Sequence, residues 1–502
     1  MKRIIHRYTL LIVTFLVTSV SCNKDDLEVN PVNATEADYF KTEAEFNKAV
    51  IGVYARLTAL YNHNGGTHLI PMYVLPGDDV TLTGSNPFEQ FATLTSTNGV
   101  NNLYYQQIYQ LVGRANIVLQ KIAEENGVYK TAGLKNTHKG EALFLRGYAF
   151  FSLWNYYGKA PVTIERATTT DKLYPPESTN DELLNQAIAD FQEAASLLPT
   201  SWPSSQRGRV TANSANGMLG KSLVFRASWK AAPADYTAAI AAFNKITGAS
   251  LVPKFDDNFA FDTENNAESL FEFQASQPGF DNIWLPNEFD GAIGTMSAYW
   301  GYFYEGNTNS NNNINYLATD KLIAAFEPGD PRLALTYKPT SNSGKQFIKW
   351  SRRDENSNSG NGSINNPRIL RLADVILLKA EAVLKSGGSK SEAIGLINQV
   401  RARARAMVPG GTAPADRNVA ETNEATIMNW IMTERFVELA GEGQRWFDLR
   451  RWHKAGYITL NNAFFSPANV NELSFDATKH LLMPIPVNEI DRNPNIQQNP
   501  GY

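Results

Sequence analysis

The strongest constraint on the fold of this chain is a succession of apolar stripes with helical spacing that come in pairs. Leu372, Ile376, Ala380 and Val383 form one stripe, and Ala393, Ile397, Val400 and Ala404 form the next. Residues three and four apart share a face of a helix. Ser386, Gly387, Gly388 and Ser389 separate the two as a turn. Leu184, Ala187, Ile188, Phe191, Ala195 and Leu198 line another face, with Thr179 or Asn180 placed to cap it and Pro199 to stop it. Leu143, Gly147, Phe150 and Trp154, with Phe144, Tyr148 and Phe151, make a helix apolar on most sides, which should be buried. Ala215, Leu219, Leu223 and Arg226 follow, Pro233 breaks the pattern, and Tyr236, Ile240, Phe243 and Thr247 resume it.

The unit from Arg371 to Arg405 approaches the length of a tetratricopeptide helix–turn–helix repeat, about 34 residues. Small residues (Ala380, Ala382, Ala393) sit where the two helices must approach closely. The expected fold is mainly α, a tetratricopeptide-like helical-repeat scaffold occupying mostly 36–250 and 368–455. Between them, 251–367 is richer in Pro, Gly, Asn and aromatics. There the alternation of Ser269 to Phe273 reads as a strand, and helical spacing returns only around Thr319 to Phe326. Helical units flank this irregular, loop-rich insert on both sides, so 22–502 reads as a single domain ending in an extended tail over 456–502.

The first residues carry a separate message. Lys2, Arg3 and Arg7 precede an apolar run from Tyr8 to Val20, and Ser19 and Ser21 precede Cys22, the only cysteine. This is the layout of a signal peptide over 1–21. The run of about 13 residues falls short of the ~20 that span a bilayer. A cysteine directly after the cleavage site resembles a lipobox, in which the thiol takes a lipid and becomes the mature first residue. Ser19 stands where lipoboxes usually carry Leu. The alternative is an ordinary secreted protein with a stray cysteine, and the position of Cys22 favours the lipobox. Lys24, Asp25 and Asp26 resemble the surface-export signal of Bacteroidetes lipoproteins. The expected location is the cell surface, lipid-anchored to the outer membrane.

Composition excludes several functions. A net charge of −4 gives no basic stripe for nucleic acid. One cysteine permits no internal disulfide. Ala215 to Ser222 fits a relaxed phosphate-loop pattern but lies on a helical stripe without a preceding buried strand. His63 and His68 match no zinc spacing, so no metal or cofactor is implied. Arg401, Arg403 and Arg405 alternate and read as scattered ion-pair partners. No nucleophile elbow is present, and no pair of carboxylates stands out for glycoside hydrolysis, so no catalytic residue is assigned.

The segment Glu434 to Trp452 resembles the hallmark of the SusD/RagB family, surface nutrient-binding lipoproteins of Bacteroidetes. Gly140 to Tyr148, Tyr157 to Pro161, Phe326 to Leu333, Arg371 to Ala382, Val400 to Ala404, Leu482 to Asn495 and Gln498 to Tyr502 match in the family order. The resemblance implies about four tetratricopeptide-like helix pairs. It also implies a SusC-like TonB-dependent outer-membrane transporter as partner and an oligosaccharide ligand, or a peptide in some members, with no chemistry. An enzyme such as a surface glycosidase, and a protein-only tetratricopeptide adaptor, are the other classes. Within the hallmark, Glu434, Arg435, Glu438, Glu442, Arg445 and Asp448 could pass for an active site. Buried charges persist only when paired, so a packed corner held by ion pairs is the expectation.

Binding is expected at aromatics. Residues 297–304 hold five of them, and Trp300 followed by Gly301 matches a pair often found near the family's ligand surface. Alternation along a strand would set Tyr299 opposite Trp300, Tyr302 and Tyr304. Trp284, Tyr73, Asp78, Asp79 and Phe88 are weaker ligand candidates. Flat rings give large contact area at low entropic cost.

Overall fold

The computed structural model describes residue 36 and residues 39–502, apart from 62–68, 83, 180, 276–315, 340–344, 351–362, 364 and 467–471. Cys22, Lys24, Asp25, Asp26, His63, His68, Trp284, Tyr299, Trp300, Tyr302 and Tyr304 lie outside the described residues.

Helices dominate and pack in chain order. α1 (Glu43–Ala55) opens with a capping box in which Thr42 and Glu45 satisfy each other's backbone N–H groups. α2 (Gly99–Glu124) packs on α3 (Leu134–Tyr157), α3 on α4 (Glu182–Leu197), α4 on α5 (Ala212–Lys230) and α5 on α6 (Pro233–Phe243). α6 in turn meets α8 (Leu372–Lys385), which pairs with α9 (Lys390–Ala406) and with α10 (Glu424–Glu438). α7 (Asp320–Ala325) is the short helix expected near Thr319, whose side chain caps it. α11 (Arg445–Lys454) rests on α5.

The stripes become contacts. Leu184, Ala187, Ile188 and Phe191 are buried, and Gly147 lets α4 close on α3, since a Cβ there would lie 3.1 Å from Asp190 and Phe191. A Cβ on Gly220 would come within 2.3 Å of the Phe243 ring. Of the glycines in the phosphate-loop-like stretch, Gly220 therefore serves the packing of α5 on α6 and Gly217 that of α5 on Leu370 of the strand before α8, and Lys221 is paired with Asp374 at 2.6 Å. Two boundaries differ from expectation. α4 is capped by Asp181 in a left-handed conformation, without a side-chain cap bond, while Thr179 bonds the Glu182 carboxylate. The break expected at Pro233 is present but falls just before it: α5 ends at Ala231, also left-handed, and Pro233 opens α6 as its first residue.

The irregular region is tied into the scaffold by two small antiparallel sheets. β1 (Val80–Leu82) pairs with β3 (Tyr316–Ala318), aligning Val80 with Ala318. β5 (Gln346–Phe347) lies between β3 and β4 (Tyr337–Lys338), giving the order β1-β3-β5-β4. β2 (Ser269–Glu272) pairs with β6 (Arg368–Arg371), which runs directly into α8. The principal core runs from Phe46 to Ile496, so the insert and the tail share it with the helices. The tail is mostly extended, with single turns of helix at Ala477–His480 and Val487–Arg492. Asn499 donates to the carbonyls of Tyr157 and Met483, which lashes the tail to the end of α3.

Candidate functional site

The hallmark segment forms a buried ionic clamp. On α10, Glu434 and Glu438 stand one turn apart on one face. The chain then turns through Gly441, which has a φ of 70° and no room for a side chain, since a Cβ there would lie 2.4 Å from the Phe347 ring. Arg332 reaches Asp330 (2.7 Å), Glu434 (2.7 Å) and Glu438 (2.8 Å). Arg371, the last residue of β6, reaches Glu268 (2.7 Å), Glu438 (2.8 Å) and Glu442 (2.8 Å). Arg403 pairs with Glu268 and Glu438, and Arg401 with Glu434 and Glu327. Lys349 donates to Glu442 at 2.6 Å and to the carbonyls of Glu438 and Ala440. A second cluster links Arg435 to Asp374 and Asp448, and Arg451 to Glu381 and Asp448.

Electrostatics follow from this crowding. Burial opposes ionisation of Glu438, but Arg403, Arg371 and Arg332 together outweigh it and hold the carboxyl well below its usual range. Asp374 is held down in the same way by Lys221 and Arg435. Burial pulls the Lys349 ammonium down to about 8, against the opposing pull of Glu442. The clamp is closed to ligand, since these carboxylates are buried and turned toward cations of the chain itself. Its partners show its purpose. Glu268, Glu327, Asp330, Arg332, Lys349 and Arg371 come from the insert or its edge, and Arg401, Arg403, Glu434, Glu438 and Glu442 from α9, α10 and the turn after it, so the clamp fastens the irregular region to the helices. Arg401 and Arg403, expected to be scattered pairs, converge on this one network.

The candidate ligand residues separate clearly. Phe88 is 1% exposed and packs in the principal core. Asp78 is buried between Arg445 (2.5 Å) and Lys321 (2.6 Å). Asp79 is buried and accepts from the Gly441 N–H at 2.8 Å, with burial pushing its carboxyl up to about 6. All three are interior residues in this structure: Asp78 and Asp79, just before β1, are held by Arg445 and Gly441 of the hallmark segment, and Phe88 lies in the short helix Pro87–Gln90. Tyr73 is half-buried, donates to the Leu60 carbonyl and lines a cavity with Tyr61, Tyr104, Tyr148 and Tyr156. That cavity holds about 60 Å³, against roughly 300–1,000 Å³ for small-molecule sites. It admits a few waters and no sugar ring.

Larger hollows open at the surface. Two of about 330 and 240 Å³ flank the loop before α5 and share Arg207, Gly208 and Arg209. A third, of about 380 Å³, lies between α7 and α10–α11, with Lys321 over the Phe464 ring at 3.5 Å and Arg445 over Phe436 at 3.9 Å. Sequence reasoning passed over the first pair. Their signal was a Trp and two Arg set in a Pro- and Ser-rich link between helices, 199–211.

Such a ladder of paired helices, with an irregular region clamped onto it, is a tetratricopeptide-like binding scaffold. A profile of the SusD family matches residues 253–502, and a second, described as starch-binding associating with outer membrane, matches residues 26–222. The chain belongs to the SusD/RagB family. The SusD-like protein P2 of Formosa agariphila is 27% identical over 99% of this chain and 100% of its own length. A SusD homolog from Bacteroides thetaiotaomicron shares the fold with a TM-score of 0.76 at 21% identity, covering 93% of this chain and 99% of that one. Surface glycan-binding protein A from Bacteroides thetaiotaomicron, solved in complex with laminarihexaose, gives a TM-score of 0.73 at 20% identity, covering 91% of this chain and 99% of its own.

Proposed function

We propose that this chain is a cell-surface lipoprotein, anchored through Cys22 and exported by Lys24, Asp25 and Asp26. It captures extracellular glycan oligomers and delivers them to a SusC-like TonB-dependent outer-membrane transporter. The observation that carries the reading is the end-to-end likeness in fold to a protein that holds laminarihexaose. No chemistry is assigned.

The test is calorimetry of the mature chain against glucan oligosaccharides, other glycans and peptides, with turnover followed in parallel. Saturable binding of a glycan without cleavage is expected. Binding confined to peptides would move the protein to the peptide-binding class, and product release would make it a glycosidase. Co-purification of an outer-membrane barrel with the lipidated protein tests the transporter. Isolation of the lipoprotein alone from gently solubilised membranes would count against delivery.

A further inference from the structure

The loop joining α4 to α5 is built as a ridge between two hollows. A single turn at Ser204–Gln206 leads into Arg207, Gly208 and Arg209. Gly208 has a φ of 98°, and a Cβ there would lie 2.3 Å from the side-chain amide of Gln274. Gln274 is itself fixed by Asn265 and by the carbonyl of Glu272. The ridge is therefore seated against β2 and held in shape.

The two arginines on it have different fates. Arg209 is fully engaged: both its Nε and Nη2 donate to Glu141 at 2.6 Å, and its Nη1 donates to Asn47 and Gln206. Its guanidinium also stacks on Trp202 at 4.3 Å, which braces that ring under the ridge. Arg207 is exposed, and among the described residues its guanidinium has neither a hydrogen-bond acceptor nor a carboxylate partner. It lines both hollows. The one carboxylate in their walls, Glu272, is 2% exposed and already taken by Asn265, Asn366 and Arg368. Among the described residues, nothing in either wall neutralises Arg207. The larger hollow, about 330 Å³, adds an apolar wall of Ile51, Leu57 and Phe273.

An unpaired planar cation at the rim, an apolar wall behind it and, among the described residues, no competing anion define one ligand chemistry. We propose that this ridge is a subsite for an acidic sugar unit, with Arg207 taking its carboxylate or sulfate and the apolar wall taking the C–H face of the ring. A guanidinium presents a donor fork that matches either oxyanion bidentately. The inference rests on the glycan-binding reading above and adds to it the charge of the glycan.

The experiment is calorimetry of the full mature chain with three probes of equal length: an oligouronate, a sulfated oligosaccharide and neutral laminarihexaose. Arg207→Gln should weaken binding of one of the acidic probes roughly tenfold, the scale of one partly exposed charge-assisted contact, and leave the neutral probe unchanged. Arg207→Lys should restore part of the loss, and parental affinity for the acidic probe should fall as salt rises. The difference between the uronate and sulfate arms identifies the oxyanion. Equal affinity of Arg207→Gln and parent for both acidic probes overturns the subsite, as does an equal loss for the neutral one. If the parent binds the neutral probe alone, only the acidic subsite fails. If it binds no glycan of any charge, the glycan-binding reading fails with it.

Discussion

Glu438→Gln tests whether the hallmark segment is a structural clamp. The substitution keeps the size and one carbonyl oxygen but removes the charge that faces Arg332, Arg371 and Arg403. Breaking a buried ion pair by neutralising one member costs about 3–5 kcal/mol, because the remaining cations stay buried without compensation. Unfolding entropy near ~2.1 cal/mol/K per residue gives about 1 kcal/mol/K for this chain of 502 residues. The expected fall in Tm is therefore about 3–5 °C if the chain unfolds as one cooperative unit. The effect should also depend on pH. The folded carboxyl is held below its unfolded value of about 4.3, so its contribution is present above that pH and lost as pH falls toward the folded value. Glu438→Gln should accordingly flatten the acid limb of the stability curve. Calorimetry and urea titration between pH 3 and pH 8 read both quantities. Glu165→Ala, which breaks an exposed pair with Lys172, serves as the control and should change stability by less than about 0.5–1 kcal/mol. A Glu438→Gln protein as stable as this control, with an unchanged acid limb, would refute the clamp.

Other outcomes follow from the same geometry. Burial pushes the Glu89 carboxyl up to about 7, above its unfolded value, so its contribution is complete below about pH 4.3 and lost as pH rises toward 7; Glu89→Gln should flatten that stretch of the stability profile, and an unaltered slope would reject the assignment. Gly220→Ala sets a methyl 2.3 Å from the Phe243 ring and should destabilise by about 1–3 kcal/mol in urea titration, whereas a nucleotide loop would lose ligand affinity instead. Trp300→Ala should weaken glycan binding about thirtyfold, the roughly 2 kcal/mol of a central aromatic anchor, at nearly constant Tm; retained affinity or global unfolding would make Trp300 a packing residue. Cys22→Ala should leave the protein unlipidated and released or unprocessed, and an unmodified thiol at Cys22 by intact-mass spectrometry of the parent would defeat the anchor.

The scaffold was legible in the sequence because helix is a local code. The stripes around Leu184, Leu372 and Ala393 repeat within a few residues, and the structure buries them as helix faces. The boundaries were less legible, because Asp181 opens α4 and Ala231 closes α5 through left-handed backbone that no side-chain signal announces. The charged hallmark could be read as a packed corner, but its partners could not be named. Glu268 meets Arg403 across 135 residues and Arg371 meets Glu438 across 67, separations at which sequence carries no pairing information. The candidate ligand residues divide by the same rule. Aromatic and acidic side chains near Asp78 and Phe88 look alike whether they face solvent or core. Only the tertiary contacts decided it: Arg445 and Gly441 of the hallmark segment hold Asp78 and Asp79 inward, and the principal core takes Phe88. Arg207 and Arg209 are indistinguishable as letters two apart. The tertiary placement of Glu141 and Asn47 satisfies one and leaves the other open, because only the folded chain decides which charges are already spoken for.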